Sequence, residues 1–158
     1  MAEKTARELA QQNIAENRKA FHDYHILQTW EAGMVLLGTE VKSIREGRVS
    51  LRDSFARVEK GEIWLHSVNI SSYSHRGYAD HEPLRQRKLL LHRDEIRKLI
   101  GQTTEKGMTL VPLRLYFKSG RVKVELGLAK GKKDYDKRET IKRREVERET
   151  RAAVKARQ

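Results

Sequence analysis

The thirty residues at the C-terminal end of the chain, 129–158, differ sharply from the rest in their capacity to fold. Their large apolar residues are only Tyr135, Ile141, Val146 and Val154. They also hold 12 Lys and Arg against 6 Asp and Glu, so they carry half of the chain's net charge of +12. A segment with so little apolar surface cannot offset its own ordering entropy. We therefore expect a folded core within 17–128, a polar mobile lead-in over 1–16, and a basic tail over 129–158 that is disordered alone.

The tail nevertheless has the composition of a helix. Glu139–Arg157 contains good helix formers and neither Gly nor Pro. We expect this segment to become helical when an anionic partner binds it, because the partner would then offset the cost of ordering it.

The segment 17–128 reads mainly as strands. Two hairpins are predicted, each from two strand-like segments around a glycine-containing turn. The hairpin segments are Ser54–Glu59 with Glu62–Ile70, and Met108–Tyr116 with Arg121–Leu128. Partial alternation predicts a further strand over Tyr24–Leu37, with a bulge or bend at Gly33.

Two short helices are predicted between the strands. Thr39 is a candidate cap for a helix that runs through Arg45. Asp94–Ile100 is a helix with acidic residues in its first turn and Gly101 at its end. Tyr73–Arg87 is polar and aperiodic, and we interpret it as a loop. This pattern favours a mainly β fold: a small, OB-like (oligonucleotide-binding type) β-barrel with short helices and the basic tail.

The residue types present argue against an enzyme. The chain has no cysteine, and its histidines do not occur at a metal-ligand spacing. Neither a Walker-type phosphate loop nor a serine nucleophile motif is present. We therefore predict no catalytic residue, metal or cofactor, although a nuclease with scattered carboxylates stays open.

The charge of the chain points to an acidic partner, most plausibly a nucleic acid. No apolar run is long enough to span a membrane, and the polar N-terminus does not resemble a signal peptide. We therefore expect a cytoplasmic protein without a membrane partner.

Several side chains are candidates for contact with RNA. Basic groups occur at Asn17–Lys19 and at Arg85–Lys88, where three cations precede an apolar strand. Glu31 lies within an apolar strand; it could accept a hydrogen bond from a base edge, orient a nearby arginine, or be an ordinary surface carboxylate. Exposed aromatic side chains could stack on unpaired bases, and the candidates are Trp30, Tyr73, Tyr78 and Tyr135. Core packing is the preferred interpretation for Trp30, Trp64, Phe55, Tyr116 and Phe117.

Six short motifs in order resemble the SsrA-binding protein family, also called small protein B. Any one of them is weak, but together at compatible spacing they are specific. The motifs are NRKA at 17–20, HDY at 22–24, EAG at 31–33, GTEVKS at 38–43, RKLLLH at 87–92 and GKKDYDKR at 131–138.

The resemblance implies a non-enzymatic RNA-binding protein of bacterial trans-translation. Its OB-like barrel would bind the tRNA-like end of transfer-messenger RNA (tmRNA). It would help to deliver that RNA, charged with alanine and accompanied by elongation factor Tu and GTP, to stalled ribosomes. The tail would enter the small-subunit decoding centre and the empty mRNA channel and become helical there, and the nascent chain would be tagged as the ribosome is rescued.

The resemblance also assigns residues. The family's RNA-binding positions match Asn17, Glu31 and Leu91, and Arg18, Lys19 and Lys88 beside them are plausible phosphate contacts. For Leu91, burial in the core is the alternative. The ribosome-binding tail motif matches Gly131, Lys132, Lys133, Tyr135, Asp136, Lys137 and Arg138, with Tyr135 expected to stack on a ribosomal RNA base. A general basic OB-type ribosomal or RNA-chaperone module is the alternative function.

Overall fold

The computed structural model describes residues 12–72, 80–104, 107–132 and 134–156. Within these ranges the chain forms nine strands and four helices. The strands are β1 (Gln12–Glu16), β2 (Tyr24–Met34), β3 (Val49–Ser50), β4 (Phe55–Glu59), β5 (Glu62–His66), β6 (Asn69–Ile70), β7 (Arg87–Leu90), β8 (Met108–Lys118) and β9 (Arg121–Gly131). The helices are α1 (Arg18–Asp23), α2 (Gly38–Arg45), α3 (Arg93–Thr103) and α4 (Asp134–Ala156).

Seven of the strands form one antiparallel sheet whose pairings close into a ring. The order is β1-β8-β4-β5-β7-β2-β9, and β9 pairs back onto β8. The ring closes because β8 uses one edge for β9 and the other for β4, where Ala56 faces Leu110. The predicted mainly β class is therefore confirmed, and both predicted hairpins are present as β4–β5 and β8–β9.

The main core fills the inside of this ring. Alternate residues of each strand point inward, as the pleat of a strand requires. Fully buried examples are Ile63 and Leu65 of β5, Leu89 of β7 and Val124 of β9. The residues between them, including Trp64 and Lys88, therefore face outward.

A second, smaller apolar cluster fixes α1 on the outside of the ring. It joins Ala20 of α1 to Val111, Leu113 and Ala129 of β8 and β9. Gly127 makes this contact possible, since a Cβ atom there would lie 2.9 Å from Leu113 Cδ1. This packing places the start of α1 on the outer face of the sheet.

A buried ion pair fixes β7 against α2. Arg87 and Glu40 are both fully buried, and Arg87 Nε lies 2.5 Å from Glu40 Oε2. Arg87 also donates to the carbonyl oxygens of Val68 and Pro83. The interpretation of Arg87 as one of three cations beside a strand, available to phosphate, is therefore wrong: Arg87 is the first residue of β7 rather than the end of a loop, and its guanidinium group is used inside the protein.

The helix boundaries differ from the predictions for local reasons. The helix α2 begins at Gly38 and not after Thr39, because the Glu40 carboxylate accepts from the Leu37 backbone N–H at 2.8 Å and holds the first turn. The Thr39 hydroxyl instead contacts Nδ1 of the buried His81 at 2.8 Å. The helix α3 continues through Gly101, which lies inside the helix and does not end it.

The aromatic residues predicted for the core divide into two groups. Trp30 and Tyr116 are buried. Phe117 is half-buried and packs on the core. Phe55 and Trp64 are also half-buried but face outward from β4 and β5, where Phe55 stacks on His66 with ring centroids 5.1 Å apart. Because inward and outward positions alternate, the core interpretation was wrong for these two.

The two ends of the chain are partly described. Residues 12–16 of the predicted lead-in form β1, which pairs with β8, and residues 1–11 lie outside the described residues. The C-terminal segment is a 23-residue helix, α4, about 35 Å long at 1.5 Å per residue. Its helical course agrees with the helix-forming composition of the tail, and its disorder in the absence of a partner stays a prediction.

Candidate RNA-binding surface

Glu31 lies at the centre of a hydrogen-bonded cluster on the outer face of the sheet. It is an outward residue of β2, between the buried Trp30 and Ala32. The Tyr116 hydroxyl donates to Glu31 Oε2 at 2.6 Å, and Lys118 Nζ donates to the same oxygen at 3.1 Å. The carboxylate is thus held in one orientation while its side chain keeps 39% exposure.

The surroundings keep Glu31 ionised. Burial alone would raise the pKa of Glu31, but the hydrogen bonds from Tyr116 and Lys118 and the charge of Lys123 outweigh it, so the pKa lies below its usual value. Burial and the Glu31 carboxylate raise the pKa of Tyr116 well above its ordinary range. At neutral pH the cluster therefore presents a fixed, negatively charged hydrogen-bond acceptor beside two lysines. Such an acceptor suits an amino or imino group of a base and not a phosphate.

Lys123 and Leu90 extend this cluster past Gly33. A Cβ atom on Gly33 would lie 3.4 Å from Leu90 Cβ and 3.7 Å from Lys123 Nζ, so the glycine leaves room for both side chains. Leu90 is 51% exposed. We call Glu31, Leu90, Lys118 and Lys123 the Glu31 patch; it combines an acceptor, two cations and an apolar side chain.

A row of side chains connects the Glu31 patch to α1. Glu31 of β2 is in register with Glu125 of β9, which is in register with Arg114 of β8. Arg114 lies 3.6 Å from Glu125 and over the Phe21 ring of α1, 5.8 Å from its centroid. The sheet thus brings the Glu31 patch and the beginning of α1 onto one face.

Asn17 acts as a structural clamp at the start of α1. It is 5% exposed. Its amide donates to the carbonyl oxygens of Leu51 and Pro112 at 3.2 and 2.9 Å, and its side-chain oxygen accepts from the Ala20 N–H. Capping of this kind satisfies a helix-terminal N–H that would otherwise lack a partner. A direct RNA contact by Asn17 stays a prediction; its geometry supports positioning of Arg18 and Lys19.

Arg18 and Lys19 are both exposed beside this clamp. Lys19 Nζ lies 2.6 Å from Asp53, an exposed ion pair that solvent and salt screen. Either cation can therefore turn toward a phosphate at little cost.

Lys88 is the second residue of β7, and Leu91 directly follows the end of that strand. Lys88 faces outward, 3.2 Å from Glu62. Leu91 is half-buried and packs against the main core, whereas its neighbour Leu90 is the more exposed apolar side chain. The structure thus favours Leu90 over Leu91 as the apolar surface next to Glu31, and the predicted contacts of Lys88 and Leu91 stay untested.

The predicted ribosome-binding residues begin where β9 ends. Gly131 is exposed and pairs with Tyr24. The Lys132 backbone N–H donates to the Asp23 carbonyl at 2.9 Å, and Lys132 Nζ donates to the Phe21 carbonyl at 3.3 Å. These bonds fix the origin of the tail against α1.

The remainder of the motif lies at the start of α4 or outside the described part. Lys133 is outside it, as are Tyr73 and Tyr78, the predicted base-stacking residues of the loop. The backbone of Tyr135, Asp136, Lys137 and Arg138 forms the first turns of α4, and Arg138 is exposed. The contacts predicted for these residues stay predictions.

Sequence reasoning missed Tyr116, Lys118, Lys123 and Leu90 as members of the surface. The positions of Tyr116, Lys118 and Lys123 follow from the β8–β9 hairpin, in which Lys118 faces Arg121 and Tyr116 faces Lys123. Leu90 lies on β7, in register with Gly33 of β2. The alternation of Lys123 with the buried Val122 and Val124 carried a usable signal, because charged residues between buried ones face outward. The pairing of β2 with β9 could not be found this way, because it joins strands about 100 residues apart.

Two other kinds of site were sought in the described ranges. No group of three or more His, Cys, Asp or Glu side chains there could hold a metal ion. None of the described helices is both long and apolar enough to cross a membrane.

The fold and this surface define a class of protein: a mainly β module whose outer face offers oriented polar groups and exposed cations, as nucleic-acid-binding modules do. Comparison with known proteins makes this specific. The family model described as SmpB protein matches residues 14–156. The chain belongs to the SmpB family.

Individual relatives support the assignment. An SsrA-binding protein of Geobacillus kaustophilus (strain HTA426) is 64% identical over 145 residues, which cover 92% of this chain and 94% of that protein. One from Carboxydothermus hydrogenoformans is 62% identical over 144 residues, covering 91% of this chain and 97% of that protein. These names describe a binding protein and not an enzyme.

A solved structure agrees in fold. It is described as "tmRNA-SmpB: a journey to the center of the bacterial ribosome", and its matching chain is 55% identical with a TM-score of 0.65. The match covers 76% of this chain and 85% of the other.

Proposed function

We propose that this protein binds the tRNA-like end of tmRNA and brings it to stalled ribosomes for trans-translation, without catalysing a reaction itself. The observation that carries the proposal is the Glu31 patch, in which an oriented carboxylate lies beside two lysines and an exposed leucine. A basic surface alone binds any RNA through its phosphates. An acceptor held in one orientation, such as the Glu31 carboxylate, can in addition distinguish one arrangement of bases from another.

The body and the tail would have separate tasks. The Glu31 patch, with Arg18, Lys19 and Lys88 around it, would hold the tRNA-like end. The tail, from Gly131 onward, would engage the small-subunit decoding centre and the empty mRNA channel. Its helical course in α4 and its exposed Arg138 suit a long anionic groove. Delivery would occur together with alanine-charged tmRNA, elongation factor Tu and GTP. Action on the ribosome implies that the protein works in the cytoplasm.

Glu31→Gln tests the specific part of this proposal. The substitution keeps the size of the side chain and a hydrogen-bond acceptor for Tyr116, but it removes the charge that holds Lys118. We expect weaker binding to the tRNA-like fragment, by about tenfold for one charged hydrogen bond, and little change for a hairpin of the same length. The measurement is a titration of both RNAs at several salt concentrations.

The matched control is Glu46→Gln, which removes an exposed carboxylate that pairs with Arg48 at 3.3 Å and is not a member of the Glu31 patch. It should leave the preference between the two RNAs unchanged. Equal losses for both RNAs in Glu31→Gln would assign Glu31 a structural role only. A wild-type chain that binds both RNAs alike would support the alternative, a general basic RNA-binding module, and would overturn the proposed function.

A further inference from the structure

The outer face of β4 and β5 carries aromatic side chains that the core does not use. Strand alternation turns Phe55 of β4 and Trp64 of β5 outward, and both are half-buried. Their inward neighbours Ala56 and Leu65 belong to the main core instead. Aromatic residues, tryptophan above all, are enriched where a protein meets a partner. These two rings are therefore candidates for contact with a partner.

Cations alternate with the aromatic rings across this face. Trp64 is in register with Arg57 on β4 and with Lys88 on β7. Phe55 is in register with His66, and the two rings stack with centroids 5.1 Å apart and an angle of 4° between their planes. Arg57 lies over the Phe55 ring, 5.5 Å from its centroid. We call these five residues, Phe55, Arg57, Trp64, His66 and Lys88, the Trp64 strip. It combines rings with cations, as surfaces that hold single-stranded nucleic acid do.

Two acids on the same face offset part of the positive charge of the Trp64 strip. Glu62 lies 3.2 Å from Lys88, and Glu59 lies 3.1 Å from His66. Arg57 is exposed and forms no ion pair with any residue in the ranges that the structure describes. Because most of its charges are paired, the strip would hold RNA through its rings more than through phosphate groups.

The Trp64 strip is continuous with the Glu31 patch. Lys88 and Leu90 are alternate residues of β7, so both face outward. Leu90 belongs to the Glu31 patch and is in register with Gly33, two residues from Glu31 on β2. The path from Glu31 to Trp64 covers four residues along the strands and two strands across, roughly 15 Å. One RNA fragment can therefore contact both surfaces.

We propose that the Trp64 strip is a stacking surface for unpaired bases of the RNA, with Trp64 and Phe55 as the stacking rings and Arg57 as a phosphate contact. The proposal rests on the proposed function and deepens it, because it names the part of the RNA that this second surface takes. Bases in a fully paired duplex already stack on each other, so only unpaired bases can stack on a protein ring. The strip lies wholly within the body, which leaves the tail to act separately.

The first test compares two substitutions of Trp64 in the full chain. Trp64→Leu keeps an apolar side chain but removes the flat ring, whereas the matched control Trp64→Phe keeps a ring. We expect Trp64→Leu to weaken binding of the tRNA-like fragment about tenfold. The slope of log K against log salt should stay unchanged, because no phosphate contact is lost. Trp64→Phe should recover most of the affinity. Equal losses in the two variants, or no loss in either, would overturn the proposal.

Tryptophan fluorescence measures the contact in the wild-type chain and does not depend on how well Trp64→Leu folds. The chain has two tryptophans, and the other one, Trp30, is 7% exposed in the core. A saturating amount of the tRNA-like fragment should quench the emission of Trp64, because a base would stack on its ring. Trp64→Phe retains only Trp30 and gives the share of the change that comes from that residue. A loss of intensity no larger in the wild type than in Trp64→Phe would overturn the proposal.

A fully paired RNA duplex of the same length separates unpaired bases from RNA in general. At saturation the duplex should leave the emission of Trp64 unchanged, and quenching equal to that by the tRNA-like fragment would overturn the proposal. If these tests fail while the wild-type chain still prefers the tRNA-like fragment over a hairpin, only this inference fails. Loss of that preference in the wild type contradicts the proposed function itself.

Discussion

Arg87→Met tests whether the cation at the start of β7 serves the fold or the RNA. Methionine keeps the unbranched stem of the arginine side chain but removes the guanidinium group that pairs with a fully buried carboxylate. Glu40 would keep its contact with Arg85 at 2.5 Å. The Val68 carbonyl oxygen would lose the Arg87 donor, while the Pro83 carbonyl oxygen would still accept from the Ile70 N–H at 3.0 Å. Removing one partner of a buried ion pair costs about 3–5 kcal/mol. Because Arg85 remains as a partner of Glu40, we expect a loss of unfolding free energy at the lower end of this range, about 3 kcal/mol. For a chain of this size that corresponds to a fall in Tm of roughly 10 °C.

The control is the same substitution at an exposed ion pair. Arg48 lies 3.3 Å from Glu46, and both side chains are about half exposed, so Arg48→Met should cost less than about 1 kcal/mol. Chemical denaturation of both variants, followed by circular dichroism, measures the difference. Equal stabilities of the two variants would refute the reasoning. So would an Arg87→Met protein of normal stability with weakened RNA binding, because its guanidinium group would then face the RNA.

The pH dependence of this loss is a second signature. Burial raises the pKa of Glu40, but hydrogen bonds from Arg85, Leu37 and Arg87 outweigh it, and the pKa lies below its ordinary value of 4.5. A carboxyl group with a lowered folded-state pKa stabilises the fold above its unfolded pKa and loses that contribution as the pH falls through the folded value. Without Arg87 the pKa of Glu40 rises. As the pH falls, Glu40 is therefore protonated at a higher pH in the variant than in the wild type, and protonation removes the buried charge that has lost a partner. The cost of Arg87→Met should therefore be largest near neutral pH and shrink below about pH 4.5.

Two further substitutions test the packing of α1 and the role of the tail. Gly127→Ala places a Cβ atom 2.9 Å from Leu113 Cδ1 and should destabilise the protein by about 1–3 kcal/mol. Gly101→Ala, in a helix with no atom within 4 Å of the new Cβ, should instead stabilise the protein by up to about 1 kcal/mol. Thermal unfolding of both variants measures the difference. Charge reversal of Lys137 and Arg138 to Glu should preserve binding of the tRNA-like fragment and abolish tagging on stalled ribosomes in a reconstituted translation assay; a parallel loss of RNA binding would contradict the division between body and tail.

Local patterns were enough to predict the hairpins. Strand alternation and turn glycines depend on neighbouring residues only. Both turns have left-handed backbone: Lys60 and Gly61 have φ of 51° and 76°, and Ser119 and Gly120 have φ of 51° and 74°. The mainly β class followed from these elements.

Contacts between distant segments could not be predicted in this way. Arg87 pairs with Glu40, which lies 47 residues earlier in the chain. The strand β1 pairs with β8, about 100 residues further along the chain. Arg87 therefore looked like an exposed cation, and residues 12–16 looked like part of a lead-in. The aromatic side chain of Trp64 favours a position in the core. Residue type alone, however, does not indicate on which side of β5 the side chain lies.

The arginines of this chain show what separates a residue that serves the fold from one that serves the RNA. Arg87 has a buried carboxylate and two carbonyl oxygens within reach, so its charge is satisfied and its loss should appear as instability. Arg18 has no such partner among the described residues and lines a concave surface beside α1. Its loss should leave stability nearly unchanged and appear in the salt dependence of RNA binding. Arg114 lies between the two cases, because it contacts Glu125 at 3.6 Å and lines the same concave surface. Arg114→Gln should therefore affect both stability and RNA binding. It should lower stability less than the loss of Arg87 does, and it should change the salt dependence of RNA binding less than the loss of Arg18 does.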